Sequence, residues 1–241
     1  MPSTVRASLL VLLLAHAAAS ASAAEDDPSF TQRDGFLLSH PGLYWSAIGV
    51  RAYQRGRLDE AMTAFRRAAR HADKTSQAMI SQMLWNGDGV ERDRAIAYVW
   101  ADLAAERGYP QFVATRERFW NALTAEEQRT ALAAGPSIFD EYGDAAAKPR
   151  EERALRAGRR KATGSRLGHV GTLAAWQRLP NGDFERIDGS FLYADRYWKP
   201  ESYWKWRDEA WSPLPHGTVE VGPIAVPEDT PPAHRDDAGR Q

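Results

Sequence analysis

Between Leu43 and Gly108 the apolar positions fall into four successive runs at helical spacing, separated by short polar or glycine-containing breaks. Trp45, Ile48, Gly49 and Ala52 share one helical face, and Gly56 interrupts them. Leu58, Ala61, Met62, Phe65, Ala68 and Ala69 form the next face. Asp59 and Glu60 stand in its first turn and Arg66, Arg67 and Arg70 near its end, which is the charge order a helix dipole favours. A second helix–turn–helix unit follows from Ser76 to Gly108, with Asn86, Gly87 and Gly89 in its turn and Asp93 placed to cap its second helix. Further on, Pro110 opens a helix carrying Phe112, Val113, Phe119, Trp120 and Leu123. Thr124 and Glu127 then fit a capping box. The helix they start is expected to run to Ala134 and to stop at Gly135-Pro136, with a last turn over Ile138 to Tyr142.

The first unit resembles the tetratricopeptide repeat in Trp45, Ile48, Gly49, Ala61, Phe65 and Ala68. It lacks the aromatic three residues after the glycine, where Ala52 stands, and has Asp73 in place of the closing proline. The second unit resembles the Sel-one-like repeat. The matching residues are Asn86, Gly87, Gly89, Val90 and Asp93 in the loop, then Ala97, Trp100, Ala104, Ala105 and Gly108. Ser81 and Leu84 depart from that pattern, at packing positions. The expected fold is therefore mainly α: antiparallel helical-hairpin repeats forming a short solenoid, with a C-terminal appendix that holds a small β-hairpin and a short helix. Such repeats bury their apolar faces only against neighbours, so an array of two units needs capping segments at both ends. The pair of helices after Gly108 resembles the terminal helices that cap Sel-one-like arrays.

The N-terminus changes the picture of compartment. Arg6, the 13-residue apolar run Ala7 to Ala19 and the small residues Ala21 to Ala24 read as a secretory signal cleaved before Ala24 or Glu25. The apolar run is too short to span a bilayer. The resemblance to exported Sel-one-like proteins implies a bacterial periplasmic or secreted protein. No cysteine occurs, which removes disulfides, thiolate chemistry and lipidation at cysteine. The expected organisation is a signal peptide over 1–24, a polar tether over 25–40, a repeat domain over 41–144, an appendix over 145–211 and a Pro-rich disordered tail over 212–241.

The net charge of −1 excludes a global attraction to nucleic acid or anionic lipid. Locally, Lys148 to Arg166 is basic, with Arg153, Arg156 and Arg160 on one helical face. A solvated face or linker accounts for that run, and a polyanion site is the alternative. Asn181-Gly182 between apolar runs predicts the hairpin. The aromatic series Phe191, Tyr193, Tyr197, Trp198, Tyr203, Trp204, Trp206 and Trp211 follows. These rings either glue the appendix to the repeats or form a sugar-stacking platform. Tyr203, Trp206 and Ala210 share the face expected to point inward, which leaves Trp204 as the ring expected at the surface.

No catalytic constellation is legible. The six histidines are not paired at metal-ligand spacing, no nucleophile elbow or phosphate loop appears, and the paired carboxylates sit in helix first turns or the tail. No cofactor and no metal is implied. The reading that remains is a non-enzymatic interaction module that holds a protein or peptide on the concave face of its first helices. Carried over from the resemblance, that face comprises Ser46, Val50, Tyr53, Ala78, Gln82 and Trp85. The alternative is an envelope-glycan binder or enzyme of the peptidoglycan-binding kind, acting through Trp198 and Trp204.

Overall fold

The computed structural model describes residues 34–163, 174–178, 183–188 and 193–211. The protein is mainly helical. Helix α1 (Asp34–Leu37) precedes two closely packed pairs, α2 (Pro41–Gln54) with α3 (Leu58–Ala69) and α4 (Lys74–Asn86) with α5 (Arg94–Ala105). Helix α6 (Pro110–Ala122) and helix α7 (Ala125–Tyr142) follow. Both lean chiefly on α5 rather than on each other.

Small residues set how closely the pairs pack. A methyl group built on Gly49 would lie 2.5 Å from the Phe65 ring, so only glycine lets α2 approach α3 here. Ala61, Phe65 and Ala68 are fully buried on the facing side. In the second pair the Ser81 hydroxyl donates to the Ala97 carbonyl at 2.7 Å, which ties α4 to α5. Asp93 caps α5 by accepting from the Ile96 N–H at 2.9 Å. Gly89 takes φ +70° between them, and a Cβ there would overlap Leu58. The core joins α2 to α6 through Phe65, Ile80, Met83, Trp100, Leu103 and Phe119.

Two boundaries differ from the sequence reading. Helix α7 does not stop at Gly135-Pro136 but runs through Pro136 to Tyr142. Ile138, Phe139 and Tyr142 pack against the core, and this burial carries the helix past the proline. The polar tether ends earlier than His40: Phe36, Leu37 and His40 are buried, with the His40 ring stacked on Phe36 at 3.8 Å.

Helix α8 (Asp144–Thr163) turns its Ala147, Glu151 and Leu155 face inward. Strands β1 (Ala174–Arg178) and β2 (Phe184–Asp188) pair antiparallel, with Ala174 opposite Asp188 and Arg178 opposite Phe184. The intervening residues Leu179 to Gly182 lie outside the described residues, as do the sequence-predicted signal peptide and Pro-rich tail. Helix α9 (Asp195–Trp198) and helix α10 (Pro200–Glu209) complete the structure. Among the described residues no helix is long and apolar enough to cross a membrane.

Candidate partner-binding face

Helices α2 and α4 stand side by side. The Ser76 hydroxyl donates to the Ser46 hydroxyl at 3.2 Å across their junction. Val50, Tyr53, Ala78 and Trp85 are half-buried along the margin of the main core, and Gln82 is likewise partly exposed. The six residues singled out from the sequence therefore occupy neighbouring first helices. They are not equally available. Trp85 lies flat against Phe119 of α6 at 3.8 Å with an interplanar angle of 9°, and the Arg94 guanidinium sits 4.6 Å from its ring centre. Much of the Trp85 surface is thus spent on seating α6.

A polar chain crosses this face. The Gln82 amide donates to Asn86 Oδ1 at 3.1 Å, and the Asn86 amide donates to Asp88 Oδ2 at 3.0 Å. The Tyr53 hydroxyl donates to the same carboxylate oxygen at 3.3 Å. Asp88 is buried, so these donors supply the solvation that burial removes. Tyr53 and Asn86 are held in place by that carboxylate, although they lie on different helices, α2 and α4.

A second polar cluster lies at the turns and helix ends. Lys74 is buried. Its ammonium donates to Glu106 Oε2 at 2.7 Å, the Leu103 carbonyl at 2.9 Å and Gln77 Oε1 at 3.1 Å, with Asp144 Oδ1 at 3.0 Å. Burial lowers the Lys74 pKa, and Asp144 and Glu106 work against that shift. Arg107 binds Asp144 through two nitrogens at 2.7 and 3.0 Å and donates to the Ala72 carbonyl at 3.1 Å. It also pairs with Asp208 of α10 at 3.2 Å. Burial pushes the Asp144 carboxyl up, but Arg107 and then Lys74 outweigh it and hold the group well below the usual carboxylate range. Tyr109 hydrogen-bonds Asp208, and burial raises its phenol. Sequence reasoning missed this cluster. Its members are single charges in turns and helix ends, which carry no periodic signal.

The aromatic appendix is built on that cluster. Trp204 is 9% exposed and Trp198 is 4% exposed, so the expectation that Trp204 presents its ring at the surface is corrected. The Trp204 indole N–H donates to Glu152 Oε1 at 3.0 Å, and its ring lies 4.8 Å beneath the Arg107 guanidinium. Trp198 packs on His40 at 4.8 Å and Tyr193 at 5.5 Å. The physical reason is that α10 is enclosed on several sides. Tyr203 and Trp204 join Ala72, Ala147 and Leu155 on one side, while Trp206 reaches Tyr197 on another. A ring that stacks on sugar needs an open face, and neither tryptophan has one.

Glu151 ties these layers together. It is fully buried and accepts from the Gly42 N–H at 3.2 Å and the Tyr203 hydroxyl at 3.1 Å, with His71 Nδ1 at 3.0 Å. Burial raises the Tyr203 phenol well above its ordinary value, so it donates at all physiological pH. Among the described residues no three His, Cys, Asp or Glu side chains are grouped to hold a metal ion. No protein-family model matches the chain, and no curated protein or solved structure matches it.

Proposed function

We propose that this chain is an exported, non-enzymatic helical-repeat module of the bacterial envelope that holds a protein or peptide partner on the α2–α4 face. We read its helix pairs as a short tetratricopeptide-like and Sel-one-like array, with β1 and β2 as a small hairpin. The observation that carries this reading is the alignment of Ser46, Val50, Tyr53, Ala78, Gln82 and Trp85 on two adjoining first helices, where they remain only half-buried. Half-buried aromatics on rigid helices suit a binding face, because little conformational freedom is lost when a partner covers them. The buried state of Trp198 and Trp204 leaves the glycan-stacking alternative without its platform.

A photo-crosslinking residue introduced at Gln82 tests the assignment. The reference is the same residue at Thr63, which is exposed on α3. A discrete protein adduct in envelope preparations from the Gln82 position alone is the expected result. Adducts of equal yield from both positions, or from Thr63 alone, overturn the assignment. A glycan adduct at Gln82 replaces the partner class.

A further inference from the structure

Helices α6 and α7 both rest on α5 and scarcely touch each other. Tyr98 and Asp102, one turn apart on α5, are half-buried, and so are Arg116 and Trp120, one turn apart on α6. The Tyr98 and Trp120 rings meet at 4.8 Å with an interplanar angle of 46°. At that tilt neither ring covers the other's face, unlike Phe119 on Trp85 at 9°. Arg116 Nη1 lies 3.4 Å from Asp102 Oδ1. On α7, Gly135 shares a helical stripe with Ala131, Ile138 and Phe139, and these three pack in one cluster with Tyr98 and Trp120. A methyl group built on Gly135 would meet nothing within 4 Å among the described residues. A glycine on the inward stripe thus leaves a recess where α7 faces α5 and α6. The groups beside it hold unused hydrogen-bonding capacity. The Tyr98 hydroxyl, the Trp120 indole N–H and Asp102 Oδ2 have no hydrogen-bond partner among the described residues. Burial raises the Asp102 carboxyl above its ordinary value, and Arg116 works against that shift.

We infer that this recess between α5, α6 and α7 binds a neutral sugar unit. Two carboxylates, Asp102 and Glu117, stand against the one guanidinium of Arg116, which disfavours an anion. That guanidinium lies beside Asp102 and disfavours a cation in turn. A carboxylate oxygen next to guanidinium donors suits two adjacent hydroxyls, one donating and one accepting. Tilted aromatic rings and an aliphatic wall suit the C–H face of the sugar ring. These residues lie apart from Trp198 and Trp204, whose rings are buried in the appendix. The site rests on α5 to α7 and not on the α2–α4 face, so it stands or falls separately from the partner-binding reading.

Saturation-transfer NMR on the purified protein tests the site. The probes are glucose, N-acetylglucosamine and the N-acetylglucosamine trimer, with choline and acetate as charged references. The expected result is transfer to the ring protons of at least one sugar and none to the references. Equal binding of the single sugar and the trimer assigns the site to one free unit, and tighter binding of the trimer assigns it to a glycan chain. Gly135→Leu fills the recess with a good helix former, so the sugar signal is expected to vanish while the thermal midpoint holds. Asp102→Asn keeps the shape and is expected to weaken binding about tenfold. Trp45→Phe changes a half-buried ring on α2 and is expected to bind as the parent does. Sugar binding that survives Gly135→Leu overturns the inference, and so does unchanged affinity in Asp102→Asn. Equal loss in Trp45→Phe, no transfer to any of the sugars, or preferred transfer to choline or acetate overturns it as well.

Discussion

Arg207 Nη2 lies 2.7 Å from Asp73 Oδ2, joining α10 to the turn between the first and second helical pairs. Asp73 is buried and uses its other oxygen to accept the Ser76 N–H at 2.8 Å, which caps α4. One carboxylate therefore caps α4 and fastens α10. The two duties separate by substitution. Asp73→Asn keeps a good cap and loses the charge pair, and is expected to cost about 1 kcal/mol. Asp73→Ala loses both, at about 2–3 kcal/mol. Urea unfolding of the two variants checks the order. Equal costs would mean that the cap contributes nothing.

Acid provides a second handle. Asp144 has a folded-state pKa depressed below its ordinary value of 3.8 by Arg107 and Lys74. Its contribution to stability is present above that ordinary value. It is lost as pH falls from about 4 toward the lower folded value, because the unfolded chain then binds the proton more readily. Asp144→Asn is expected to be less stable at neutral pH and to lose less further stability below about pH 4 than the parent. Thermal unfolding across that range reads both effects, and parallel pH curves would show that Asp144 is not the group concerned.

Three glycines with positive φ separate backbone strain from crowding. Gly56 has φ +72° and open space around it, so Gly56→Ala carries only the strain, about 1 kcal/mol. Gly89 has φ +70° and abuts Leu58, so Gly89→Ala adds an overlap and is expected to cost about 2–4 kcal/mol. Gly87 at φ +77° has its nearest neighbour, Arg92 Cβ, at 3.3 Å and falls between them. Unfolding midpoints of the three variants give the ranking.

Trp204 offers the sharpest contrast between packing and display. Trp204→Ala removes a buried ring and an indole donor and is expected to destabilise the protein by about 3–5 kcal/mol. A surface ring of the same kind would cost well under 1 kcal/mol. Guanidinium unfolding distinguishes the two directly.

Much of the region from α2 to α7 was legible because its signals are local. Asp93 as a cap, Thr124 with Glu127 as a capping box and Gly49 as a close-approach point each act within a turn or between adjacent helices. The six residues of the candidate face could be placed on two helices for the same reason, since helical spacing and the breaks that flank it mark α2 and α4. The orientation of α10 was not legible. A helical wheel assigns one inward face, and α10 has several because α8, α9 and the turn at Ala72 surround it. Pro136 misled in a similar way: it marks the end of a helix by local rules, while Ile138 and Phe139 hold the next turn through distant contacts. The Phe36–His40 segment was hidden because a helix of four residues has no period to detect. Its burial depends on rings that arrive more than 150 residues later.

That last contact governs what an incomplete chain looks like to its surroundings. His40 Nε2 lies 2.9 Å from the Tyr197 carbonyl, and Phe36 meets Tyr197 edge-on at 5.6 Å. A polypeptide truncated or clipped ahead of α9 still holds α1 to α8, yet leaves Phe36 and His40 without the rings that cover them. Damaged copies thereby carry a bare aromatic patch that undamaged ones conceal, which is the kind of mark chaperones and proteases sort by.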